Sequence, residues 1–284
     1  MKIDAAYIPL DKSWIIRMGV LDMVNGYDDI SIFLSKQKNL GDDLAALKRA
    51  AESWKTEKRI SVGESGTLYR LLKYASWKLD LGKEFILQGT LAGRNIHDDP
   101  SITHLSQIEL LKLDNGTSQW ASAAALLGDM ERIPNPPYKL ACTYEAIDHW
   151  KSCRKEGKTW ELRYDETIAK QAEAYLKILN GGESSFIPAQ AEDFCFVYAF
   201  GLMSVQEGEK RWPALRGHES DRIVEMQSTL TAAQEGKEIN SRDHRVIQAI
   251  AMWGRVNSKE LHVIYPESVN KSWLQFWDFL EKYR

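Results

Sequence analysis

The sequence predicts an α/β protein, and three observations carry that prediction. Short apolar runs alternate with helical stretches along the chain. One run, 60–62, feeds a glycine-bracketed turn and an amphipathic helix containing Leu68, Leu71 and Leu72. Hydrophobic residues make up 44% of the 284 positions, ample for one large core or two ordinary ones.

Taken in order, residues 2–8 read as a strand ended by the turn at Pro9 to Asp11. Trp14, Ile15, Met18, Leu21 and Met23 then recur at helical spacing, with Asn25-Gly26 as the stop. The run 30–34 is strand-like, and 42–54 reads as a helix with Leu44, Leu47 and Ala51 on one face. Strand 60–62 and the helix from Thr67 form a second strand–helix pair. Residues 85–88 read as a strand, 89–94 as a loop, and Asp114-Asn115-Gly116 as a turn into the Ala-rich helix from Ser118.

Pro134, Pro136 and Pro137 break structure ahead of a helix over 140–150, and 151–158 is a solvated charge run. Strand 159–164 precedes a strong helix over 166–179, closed by Asn180-Gly181-Gly182. A strand at 186–190 and an apolar helix at 194–203 follow. Helices from Glu219 and Asp243, a strand at 261–265 and a helix from Lys271 complete the chain.

A net charge of −3 provides no global field for nucleic acid, so cations must act locally. The opening residues lack the pattern of a signal peptide and no run has the length of a membrane span, which predicts a cytoplasmic protein without membrane partners. The three cysteines, Cys142, Cys153 and Cys195, and the six histidines lack metal-ligand spacing. Reduced, structural cysteines and no metal site are expected.

A second pattern concerns anions. Gly63, Ser65, Gly66 and Thr67 lead into a helix start, where free N–H groups and the positive dipole end favour an anion, and Arg70 lies one turn on. The same device, a hydroxyl or acid at a helix start with a nearby cation, recurs. It is seen at Lys12-Ser13 with Arg17, Glu219-Ser220-Asp221-Arg222 and Asp243-His244-Arg245. Thr117-Ser118-Gln119 and Lys271-Ser272 share part of it. Ordinary caps and exposed ion pairs explain any single block; recurrence points to a multiply anionic small molecule.

In this order the blocks resemble those of the enolpyruvyl transferases, the 5-enolpyruvylshikimate-3-phosphate synthase branch in particular. The resemblance implies an inverse barrel of two α/β domains built from βαβαββ units, here with repeats truncated. The domains would be 12–187 and 1–11 with 188–284, with crossings near Asp11 and Ile187 and the active site in the cleft between them. The implied reaction moves the enolpyruvyl group of phosphoenolpyruvate to the 5-hydroxyl of shikimate 3-phosphate and releases phosphate, without a cofactor. A monomer is expected, with these two small anions as its partners.

By the same resemblance, Lys12, Asp193 and Glu219 are catalytic: Lys12 in acid–base transfer, Glu219 at the enolpyruvyl methyl carbon, and Asp193 as base, with Glu192 as the alternative. Ser13, Arg17, Thr117, Ser118, Gln119 and Tyr138 would hold shikimate 3-phosphate. Lys12, Gly66, Thr67, Arg94, Gln119, Arg222, Arg245 and Lys271 would hold phosphoenolpyruvate, supported by Arg70 and His244. The chain departs from the pattern at His218, where lysine is usual, at Asn135, where serine is usual, and at Glu64, where asparagine is common. A single arginine, Arg94, stands where the family carries two. A related transfer or elimination on another shikimate-like carboxylate, or binding of a small anion without chemistry, are the alternatives.

Overall fold

The computed structural model describes residues 3–113, 116–128, 131–161, 163–216 and 221–284. The chain is α/β and mostly helical, at 59%, with two parallel strands among the described residues. It divides into two compact units, an inserted unit, Leu10–Arg163, and a discontinuous one, Met1–Pro9 with Tyr164–Arg284. Each unit carries its own apolar core.

In the inserted unit, α1 (Lys12–Val24) is capped by Asp11, whose carboxylate accepts from Trp14 N–H. Helices α2 (Asp29–Ser35) and α3 (Asp42–Ser53) pack on it, followed by β1 (Arg59–Gly63), α4 (Gly66–Lys78) and β2 (Glu84–Leu87). The strands pair in parallel with Ile60 opposite Phe85. Isoleucine, valine and phenylalanine suit this pleated surface, and a helical crossover is what parallel pairing requires. Helices α5 (Gln107–Leu110), α6 (Gln119–Leu126) and α7 (Tyr138–Glu156) complete the unit, and Trp120 on α6 and Leu140 on α7 lie fully buried.

The discontinuous unit holds α8 (Glu166–Leu179), α9 (Phe194–Ala199), α10 (Val205–Arg211), α11 (Arg222–Gln234), α12 (His244–Val256) and α13 (Phe276–Lys282). Ile168, Ala172 and Tyr175 of α8 face a core that also takes Phe194, Ile247, Trp273 and Phe279. This attachment carries the chain between units at Arg163–Tyr164 and at Pro9–Leu10, where the sequence places the crossings near Ile187 and Asp11.

Several expected strands take other forms, so repeated βαβαββ units are not what the described residues display. Residues 30–34 lie in α2: Ile30 and Leu34, four apart, share one buried face, and Ile30 N–H donates to the Asp22 carboxylate. Residues 186–190 form no strand because the N–H groups of Ala189 and Gln190 donate to Asp193, Pro188 has none to give, and Ile187 is 69% exposed. At 261–265 pairing shrinks to one bridge, Ile239 with Val263. Near the start, Asp4 caps a 3-10 turn at Ala5–Tyr7.

Residues 159–164 form no extended strand among those described, and the charge run at 151–158 partly continues α7. The helix expected from Lys271 begins instead at Phe276, and Lys271 ends a 3-10 turn, Pro266–Lys271. Cys142, Cys153 and Cys195 are free thiols. Among the described residues no helix is long and apolar enough to cross a membrane.

Candidate functional site

In the inserted unit Gly66, Thr67, Arg70 and Arg94 follow the ends of the two parallel strands. Parallel strands open at their carboxyl ends, next to the helix that follows. Ser65 caps α4 through Leu68 N–H, which sets Gly66 at the first helical position. From the next turn Arg70, only 2% exposed, folds back: its Nη1 donates to the Gly66 carbonyl at 3.2 Å and to Gln119 Oε1 at 2.9 Å. Arg94 arrives from the turn after β2, its Nη2 donating to Thr90 Oγ1 at 3.1 Å.

A Cβ at Gly66 would stand 3.0 Å from Arg94 Nη1 and 3.1 Å from Arg70 Nη1. Two guanidinium groups therefore crowd one glycine, their nitrogens at most about 6 Å apart. Thr67 is half-buried beside them.

The helix that carries Gln119 also contributes to a second cluster. Gln119 opens α6, and its N–H donates to Thr117 Oγ1 at 3.4 Å. Ser118, expected to act through its hydroxyl at the helix start, makes no side-chain cap; it is buried with φ of 58°. One turn along α6, Ser122 Oγ accepts from Thr143 Oγ1, which in turn accepts from Arg17 Nε at 2.6 Å. Arg17 also donates to the Ser13 and Lys139 carbonyls, and Lys139 Nζ donates to Ser13 Oγ at 3.2 Å.

One polar pair thus joins Arg70 to Gln119, and a separate chain runs from Ser122 through Thr143 to Arg17 and Ser13, with Gln119 and Ser122 both carried by α6. Lys12 lies one residue before Ser13, its ammonium 2.7 Å from Asp43 in a largely buried pair. Tyr138 opens α7 and is exposed.

In the discontinuous unit the centre is Asp193, 1% exposed. One oxygen accepts from Gln171 Nε2 at 2.5 Å; the other accepts from Ala189 and Gln190 N–H, both at 3.0 Å. Burial pushes its pKa up to about 6, against the opposing pull of Arg245 and these amides. Arg245 Nη1 donates to Gln171 and Gln248, and its Nη2 lies 3.6 Å from Glu192. Gln248 donates to Ser272 Oγ, adjacent in sequence to Lys271.

Asp243 caps α12 through Arg245 N–H with one oxygen and takes Arg222 Nε at 2.7 Å with the other; His244 is buried beside it. Asp193, Arg245 and Glu192 are therefore brought together, with Arg222 and His244 attached through Asp243. Glu219, the expected proton-exchanging acid, lies outside the described residues, as do His218 and Ser220.

Sequence reasoning missed Asp43, Thr143, Lys139, Gln171 and Gln248. Gln171 and Gln248 carried a usable signal, each being an amide set among apolar residues on a core-facing helix surface. The other three acquire meaning only from partners distant in the chain. No family model, curated protein or solved structure matches the chain.

Proposed function

We propose that the chain is an enolpyruvyl transferase of the 5-enolpyruvylshikimate-3-phosphate synthase kind. The observation that carries this reading is the convergence of Arg70, Arg94 and Gln119 at Gly66, a helix start flanked by two guanidiniums that suits a phosphate or carboxylate. On this reading the two units are shortened forms of the family's two domains of βαβαββ repeats.

The reaction requires a proton on the methylene carbon of phosphoenolpyruvate, attack of the acceptor hydroxyl at C2, and loss of phosphate with return of that proton from the new methyl group. Asp193, with a pKa near 6, is ionised at neutral pH and takes the hydroxyl proton. Lys12 and Glu219 serve the carbon-bound proton. Arg17 and Ser13 hold the acceptor carboxylate and ring, while Thr117, Ser118 and Tyr138 hold its phosphate. Arg94, Gly66 and Thr67 hold phosphoenolpyruvate, with Arg70 in support.

The second reading, anion binding without turnover, is favoured by the Lys12–Asp43 pair, which occupies the ammonium proposed to move a proton. Phosphate release separates the two. Release requiring both substrates, falling as pH drops below about 6 and lowered at least about 100-fold in Asp193→Asn, supports the transferase. Binding of either anion without release supports the second reading, and loss of neither binding nor release in Arg70→Gln would sink both.

A further inference from the structure

Glu64 sits between the end of β1 and the Ser65 cap, and its exposed carboxylate is built into the cradle. Its Oε2 accepts from Thr90 Oγ1 at 3.1 Å and from Thr90 N–H at 3.3 Å. The same hydroxyl accepts from Arg94 Nη2 at 3.1 Å, using the donor and acceptor capacity of one threonine. Carboxylate and guanidinium are thereby held within about 6 Å of each other.

Gly89 has φ of 50°, and a Cβ there would collide with the Glu64 carboxylate. An acid, a hydroxyl and a glycine from the ends of both strands are thus fitted to one another beside the two arginines.

We propose that Glu64 sets the charge selectivity of the Arg70–Arg94 cradle, orienting Arg94 through Thr90 while disfavouring dianions relative to monoanions. The inference rests on the reading that the cradle binds an anion. Repulsion between fixed carboxylate and ligand scales with ligand charge, so a dianion is penalised about twice as much, in free energy, as a monoanion. Because Glu64 is exposed, added salt screens the effect.

The test compares the full chain with Glu64→Gln, which keeps an acceptor for Thr90 and removes the charge. The probes are inorganic phosphate at mildly alkaline pH, where it is a dianion, and acetate. Calorimetry at low ionic strength should give about tenfold tighter phosphate binding in the variant and about threefold tighter acetate binding, with both gains shrinking at high salt. Unchanged or weaker phosphate binding in Glu64→Gln, or equal gains for both anions, overturns the proposal. If Glu64→Gln has no effect while Arg70→Gln abolishes phosphate binding, the cradle reading stands and the role of Glu64 falls. If neither the parent chain nor Glu64→Gln binds phosphate, both fall.

Discussion

In the inserted unit Arg17 and Arg70 donate to a hydroxyl, an amide oxygen and backbone carbonyls, whereas in the discontinuous unit Arg222 donates to the Asp243 carboxylate. Arg245, in turn, lies 3.6 Å from Glu192. A neutral acceptor orients a guanidinium without cancelling its charge; a carboxylate does both. The first arrangement suits holding an arriving anion. The second suits fixing the surroundings of a buried acid, here Asp193.

The largest effect should therefore come from the discontinuous unit. Asp243→Ala removes a carboxylate paired with a buried guanidinium and the cap of α12 together, and should cost about 3–5 kcal/mol in urea unfolding. A loss under about 1 kcal/mol would mean that the pair contributes no more than an exposed one and would break the comparison.

Asp193 gives the next effect, through pH. Its folded pKa, near 6, exceeds the ordinary value of 3.8, so between them the folded chain binds a proton that the unfolded chain releases. Its contribution is complete below about pH 4 and lost as pH rises through about 6, a change of up to about 3 kcal/mol. Asp193→Asn should flatten that slope in stability measured across pH; an unchanged slope would place the titration elsewhere.

How legible these features were depended on whether their causes were local. The start of α4 could be read from Ser65 and Gly66, and the two strands from β-branched and aromatic residues bounded by turns. The run 30–34 was ambiguous because a short apolar stretch serves a buried strand or a helix equally; packing on α1 and α3 decides it. Residues 186–190 lost their strand to Asp193, whose side chain takes the amides that a neighbouring strand would need. Among site residues, Arg70 and Gln119 announced themselves at helix starts, but the link between them spans 49 positions and exists only in the fold.

Arg70→Gln tests the other side of the comparison. It removes charge-assisted bonds to two neutral acceptors, the Gly66 carbonyl and the Gln119 amide oxygen, and the loss of those bonds should cost about 1.5–3 kcal/mol, less than Asp243→Ala. Equal costs in the two variants would mean that neutral and charged acceptors hold these guanidiniums alike.

The smallest effect concerns the glycine that accommodates Glu64. Gly89→Ala imposes a left-handed backbone on an alanine, worth about 1–2 kcal/mol, and drives its Cβ into the Glu64 carboxylate. The exposed carboxylate can swing away, but only by giving up its bonds to Thr90. In a Glu64→Ala background the collision disappears and only the backbone cost remains, so the two substitutions should combine to less than their sum in thermal or urea unfolding. Strict additivity would show that the carboxylate is not held against Gly89. With non-additivity, Gly89→Ala alone should also tighten phosphate binding, because it moves the same negative charge away from Arg94 without removing it from the chain.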